Sequence, residues 1–269
     1  MWNRCARTMM VTASLGLAVA TVSGQGPAYR APRTTDGKAN LNGIWQAINS
    51  AHWDIEAHSA APGVLNEQLG AAYSIPGGNG VVEGDLPYRP EALAKKKENF
   101  TNRLKLDPEV KCYLPGVPRA NYMPQPFQIL QSPSAIFFAY QYAGAVRNIY
   151  LKNPGPAPVD SWMGQSVARW EGDTLIIDVT GFNDSTWFDR AGNFHSEQLH
   201  VVERYTRTAP DVISYEATME DPQTFTKPWK ISMPLYRRLE KNAQLMDFKC
   251  VEFVEELMYG QWRKKPLTR

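Results

Sequence analysis

The sequence predicts a mainly β protein, an antiparallel up-and-down barrel with peripheral helices, with a β-sandwich as the alternative. Three observations carry this. Eight short β-type runs follow residue 126, dense in β-branched and aromatic residues. They are separated by tight breaks such as EGD at Glu171 to Asp173 and APD at Ala209 to Asp211, which suit the hairpins of a meander. No helical spacer between them is long enough for repeated parallel crossovers. With GIWQA at Gly43 to Ala47 the count reaches nine, and closing such a sheet removes the exposed edges an open one leaves.

Taken in order, the chain begins with MWNRCARTMMVTASLGLAVATVSGQ: arginines at 4 and 7, an apolar run from Met9 to Val22, then small residues. That is the pattern of a secretory signal over residues 1–24, cleaved near Gly24. The apolar run falls short of the roughly 20 residues that span a bilayer, so no stable membrane span is expected after cleavage. A periplasmic or secreted location follows. Residues 25–40, rich in Pro, Gly and Thr, read as an extended arm, and residues 41–269 as a single barrel domain. Cleavage leaves two cysteines, Cys112 and Cys250; in an oxidising compartment they are expected to pair, closing a very long loop worth roughly 2–4 kcal/mol.

From His52 to Tyr88 no period is sustained, which predicts a long loop region with a short helix around Val64 to Ala72. The best helix runs from Pro90 to Leu104: Pro90 suits the first turn, Glu91 its positive end, and Leu93, Phe100 and Leu104 recur at helical spacing. The proline-rich stretch CYLPGVPRANYMPQPFQ excludes helix interior and central strand. The strands then follow as FQILQ, AIFFAYQY, VRNIYL, QSVARW, DTLIIDVT, EQLHVVERYTR, DVISYEATME and WKISMPLYR, and VEFVEELMYG closes as a short helix anchored by Cys250.

The segments DGKANLNGIWQ, CYLPGVPR and WMGQSVARWEGDTLIIDVTGFNDSTWFDRAGNFHSEQLHVVERYTR resemble a widespread group of exported bacterial proteins with a DGKxxLxGxW start, a CxPxGxPR-like centre and a WMGxSxxRWEGDTL core. The likeness runs from about residue 36 to the end. It implies a shared fold and no particular reaction. Gly43-Ile44-Trp45 is also similar to the Gly-x-Trp of lipocalin-type (calycin-like) barrels.

Two of the four histidines, His195 and His200, fall within GFNDSTWFDRAGNFHSEQLHVVERY, beside Asp184, Asp189, Glu197 and Glu203. The connection before the histidine strand is far longer than a hairpin needs, so Asn183, Asp184 and Trp187 read as part of a rim or lid. Strand parity puts Glu197, Leu199, Val201, Glu203 and Tyr205 on one face and Gln198, His200, Val202 and Arg204 on the other. His195 or His200 as acid-base, oriented by Asp184 or Glu197, would suffice for proton transfer. A metal is not expected: the two histidines differ in parity, and the helical HExxH pattern is missing. The bland alternative is that these groups simply satisfy loop backbone. A further expectation is that aromatics and arginines, with Tyr140, Arg147 and Trp162 foremost, line a cavity for an aromatic or apolar compound bearing a polar or anionic end.

Other classes are poorly supported. GQSVARW lacks the glycine of a nucleophile elbow, and PGGNG has no Gly-Lys-Ser/Thr ending. A net charge of +2 without a basic stripe argues against nucleic acid. The expected function is therefore that of an exported, cofactor-independent lyase, isomerase or hydrolase acting on a small organic molecule. The alternative is a lipocalin-like carrier that binds such a molecule without catalysis. The oligomeric state is not legible.

Overall fold

The computed structural model describes residues 29–61 and 75–260. The signal segment and the helix expected around Val64 to Ala72 lie outside the described residues. Nine strands close into one barrel in sequence order: β1 Gly43–Ala47, β2 Phe127–Gln131, β3 Ile136–Tyr140, β4 Val146–Tyr150, β5 Gln165–Glu171, β6 Thr174–Thr180, β7 His200–Ala209, β8 Val212–Glu220 and β9 Trp229–Arg237. Helix α1 spans Pro90–Thr101, α2 Arg103–Leu106 and α3 Val254–Tyr259. Among the described residues no helix is long and apolar enough to cross a membrane.

Alternation sorts the strands as their pattern requires. In β7, Val201, Glu203, Tyr205 and Arg207 are buried, and in β8 Ile213, Tyr215, Ala217 and Met219. β8 and β9 pair from Val212↔Tyr236 to Met219↔Trp229, and the β1–β9 contact at Trp45↔Arg237 closes the ring. Trp45 is fully buried, donates its indole N–H to the Leu41 carbonyl at 2.9 Å and lies beneath the Arg207 guanidinium. An aromatic core of this kind fills a barrel of nine short strands with side chains.

One pair departs from a pure meander. β4 and β5 run parallel, Ile149 opposite Ser166 and Tyr150 opposite Val167. The chain from 151 to 164 therefore travels back along the barrel before β5 begins, and it does so without a helix. As a result the tight turns, 132–135, 172–173 and 210–211, lie at one end. The long connections 48–126, 181–199 and 221–228 all lie at the other.

Residues 29–40, the described part of the segment read as an arm, are docked on the barrel. Ala31 and Ala39 are buried, Arg33 pairs with Asp173, and Gln131 donates to the Ala39 carbonyl at 3.1 Å. Helix α1 begins at Pro90 as expected, but the chain bends at Asn102, and the buried positions are Ala92 and Asn99. Leu93 and Phe100 are exposed. The inward face is set by a close approach to Gly192: a Cβ there would stand 2.8 Å from Phe100 N and 2.9 Å from Lys96 O, so only glycine fits, and its φ of +85° agrees.

Cys112 and Cys250 are disulfide-bonded with Cα atoms 5.6 Å apart, closing a separation of 138 residues. The bridge carries the chain after β9 back to the long-loop end. There Phe253 N donates to Val110 O, Met246 N to Gln141 Oε1, and Phe248 packs on Tyr142 at 5.0 Å between ring centres. Residues 240–253, with no helix or strand of their own, form a strap.

Candidate ligand-binding site

Beneath the strap is a cavity of about 290 Å³. Its walls are largely apolar. Leu104 and Val110 come from the segment after α1, Tyr142 from the β3–β4 turn, and Phe248, Val251, Phe253 and Val254 from the strap and α3. Cys250 itself is part of the lining. The polar lining groups are Glu109, Gln125, Arg190, Lys249, Glu255 and Glu256.

Behind this cavity a charge network fixes the loops. Arg119, on the 3₁₀ turn Arg119–Tyr122, reaches Asp107 at 3.3 Å and Glu109 at 2.6 Å. Arg190, from the β6–β7 loop, donates to both Glu109 oxygens at 2.7 and 2.8 Å and to Glu255 at 3.2 Å, with its guanidinium 4.3 Å from the Trp53 ring centre. Burial alone would raise the Glu109 pKa, but Arg190 and Arg119 outweigh it and hold the carboxyl at about 2. Burial raises Asp107, with Arg119 opposing. His52 is pushed by burial down to about 3 and is therefore neutral, and its Nδ1 has no partner among the described residues. Gln125 Oε1 is a second buried atom with no partner there.

The sequence-predicted residues fall in separate places. His195 is buried in the β6–β7 loop, between Phe182 and Phe188. Its Nε2 lies 2.6 Å from Thr186 Oγ1 and its Nδ1 2.8 Å from the Ser196 carbonyl. Since a carbonyl only accepts, Nδ1 carries the proton and Nε2 accepts from the threonine hydroxyl. Burial lowers the His195 pKa and so favours this neutral form. His200 opens β7 on the outer wall, its Nε2 3.4 Å from Asp178. Asp184 and Glu197 are exposed; Asp184 is near enough for its charge to oppose the effect of burial on His195, but among the described residues no hydrogen bond joins any two of these four. Their expected convergence on one cavity is thus not what the fold produces: the loop turns His195 inward onto its own backbone, and strand parity turns His200 outward.

The predicted ligand-binding residues divide likewise. Tyr140 and Arg147 meet inside the barrel, where Tyr140 donates to Asn121 at 3.0 Å and Arg147 pairs with Glu203. Trp162 is half-exposed at the rim beside Tyr113, 5.9 Å between ring centres. Asn183 Oδ1 accepts from Ser185 N at 3.1 Å, and Trp187 is buried in a bridge with Phe194. None of them lines the cavity under the strap.

Asp189, next to Arg190, shows what the polar loop does. It is fully buried and accepts from Ile55 N and Ala191 N at 2.9 Å, Asn193 N at 3.1 Å and Asn193 Nδ2 at 2.6 Å. Burial and the nearby Asp54 raise its pKa to about 7. The loop's aspartate thus pins residues 54–56 to residues 189–193, which holds Arg190 in place.

The lining residues Glu109, Arg190, Gln125 and Phe248 were not among those singled out from sequence. The signal for them was the disulfide: once Cys112 and Cys250 pair, Glu109 and Val110 must meet the residues flanking Cys250. Among the described residues no group of three or more His, Cys, Asp or Glu is placed to hold a metal ion. Compared with family models, curated proteins and solved structures, the chain finds no match.

Proposed function

We propose that this chain is an exported binding protein, a member of the exported group its core motif resembles, and that it holds a small, largely apolar organic molecule beneath the C-terminal strap without changing it. The observation that carries the reading is the cavity of about 290 Å³ with mainly apolar walls and a few polar groups. That is the usual make-up of a small-molecule pocket, at the lower edge of the usual range of roughly 300–1,000 Å³. The disulfide beside it and the signal-like N-terminal segment both fit an oxidising compartment.

The acid-base reading has less support. A general base needs a free nitrogen within reach of a substrate proton, and both His195 nitrogens are taken by Thr186 and Ser196. The test is equilibrium binding of toluene-sized aromatics, read by NMR line broadening on the purified oxidised protein. Val110→Trp, which fills the cavity, should abolish binding with the thermal melt retained, while His195→Gln should leave binding in place. Turnover of a bound compound that disappears in His195→Gln would replace the carrier reading with the enzyme.

A further inference from the structure

We propose that the end of the strap and α3 form a docking face for an anionic phospholipid surface, an interaction that goes beyond the small-molecule reading and does not depend on it. A surface helix ordinarily turns its apolar stripe to the core and its charges to water. α3 does the reverse. Val254, Leu257 and Met258, at i, i+3 and i+4, share one face, and all three are exposed, Leu257 by 70% and Met258 by 51%. Val251, just before the helix, is exposed as well. The acids of α3 are less exposed: Glu255 pairs with Arg190, and both Glu255 and Glu256 line the cavity. The stripe is held from behind, since Cys250 is bonded to Cys112 and Phe253 N donates to Val110 O.

The charge of the residues that follow selects the occupant. Gln261 to Arg269 read QWRKKPLTR, with Trp262, four basic side chains and no acid. Tryptophan beside lysine and arginine is the composition of segments that rest at a lipid headgroup layer. An anionic leaflet attracts each of these cations, whereas a second copy of this chain would bring the same four cations against them. Asp247 and Glu252, exposed on the strap, oppose the attraction. Apolar contact and the basic residues are therefore both needed, and a neutral bilayer holds the protein poorly. The contact is peripheral, with a few apolar side chains reaching the headgroup boundary. Because Val251 and Val254 also line the cavity, docking sets the roof of that cavity against the lipid.

Co-sedimentation of the purified oxidised protein with vesicles tests this, one set of mixed phosphatidylcholine and phosphatidylglycerol, the other of phosphatidylcholine alone. The mixed vesicles should bind it, and binding should weaken as salt is raised. Leu257→Ser with Met258→Ser should weaken binding about tenfold, and Lys264→Gln and Lys265→Gln about fivefold each. Neither Leu257 nor Met258 lines the cavity, so the serine variant should keep toluene binding and the thermal melt, which separates a lost docking face from a lost fold. Equal binding to both kinds of vesicle overturns the proposal, as does binding that neither set of substitutions changes. A dimer formed without lipid and dissociated by the serine variant also overturns it, since the face then meets a second copy. Failure to bind the mixed vesicles sinks this inference and leaves the strap pocket standing, because toluene binding is read without lipid.

Discussion

Two arginine–carboxylate networks are buried in this molecule, and they differ in what surrounds them. Inside the barrel, Arg147 pairs with Glu203 and donates to Ser166 Oγ at 2.7 Å. The other Glu203 oxygen accepts from Asn121, Tyr205 and Tyr215, each at 2.8 Å. Within this network, Arg147 Nη1 lacks a partner among the described residues. At the long-loop end, Glu109 is just as thoroughly bonded to Arg119 and Arg190, but its neighbours line a cavity roofed by a strap. The first network is built mainly on the strands β4, β5, β7 and β8, with Asn121 reaching in from the 3₁₀ turn. The second is assembled from two loops and the tail, held by one covalent bond and a handful of contacts. Buried charge is therefore a poor marker of function by itself; the informative difference is whether the charged groups stand beside empty space.

The sharpest way to break the comparison is to cut the barrel network. Glu203→Ala leaves Arg147 and three polar partners buried without their acceptor, and stability should fall by about 3–5 kcal/mol in denaturant unfolding. The double substitution Arg147→Met with Glu203→Leu removes both charges and should lose less, because the uncompensated cation is gone. Folded protein of either kind should still bind toluene; loss of that binding in a folded variant would show that the two networks are not separate.

Next in size is the clasp. Cys112→Ser with Cys250→Ser should lower stability by roughly 2–4 kcal/mol and weaken ligand binding by about tenfold, since Phe248 to Glu256 supply more than half of the lining. Reduction of the wild type with a dithiol should reproduce the binding loss. Unaltered affinity after reduction would mean that the strap is held by its non-covalent contacts alone.

A smaller effect separates the networks by pH. Glu109 has a folded pKa of about 2 against an ordinary 4.5, so its contribution is present above about pH 4.5 and is lost as pH falls towards 2. His52, lowered to about 3 from 6.5, is buried neutral, so its contribution is lost as pH falls from 6.5 to about 3. Asp189 acts in the opposite sense: raised from 3.8 to about 7, it binds a proton more tightly when folded, and stability from this group declines as pH rises through that window. Glu109→Gln should flatten the acid limb below about pH 4.5 and leave Asp189's opposite slope in place. An acid limb as steep as the wild type's would remove Glu109 from this account.

Much of the barrel was legible because strand patterning is local. WKISMPLYR and GIWQA have the bounds of β9 and β1, and parity grouped Leu199, Val201, Glu203 and Tyr205 on one face without saying which way it points; in the barrel that face is the buried one. The parallel β4–β5 pair was not legible, since the path of residues 151–164 is decided by where β5 finds its partners. Nor was the face of α1, which Gly192 selects from another part of the chain. The acid-base expectation centred on the stretch that sets His195 and His200 close together among four carboxylates, yet Asp189, Asn193 and His195 mostly satisfy local backbone and side-chain groups, the commonest use of such residues in loops. The cavity arises from segments far apart in sequence, joined by the disulfide.

The smallest expected effect concerns His200. It stands at the start of β7 on the outer wall, its side chain 37% exposed and 3.4 Å from an equally exposed Asp178. Asp178 is also engaged by Arg169, so its charge is compensated without the histidine. Exposed pairs of this kind are worth well under 1 kcal/mol, and screening by salt reduces them further. His200→Ala should therefore change stability by less than about 0.5 kcal/mol and leave toluene affinity within twofold, because no His200 atom lines the cavity. The same variant discriminates the two histidines. His195→Ala removes a buried ring bonded at both nitrogens and should cost about 1–3 kcal/mol, so a thermal melt of the pair should show a large shift for His195 and almost none for His200. If His200→Ala instead weakened binding at unchanged melting temperature, the ligand would lie on the outer wall of β6 and β7, and the strap pocket would lose its place as the binding site.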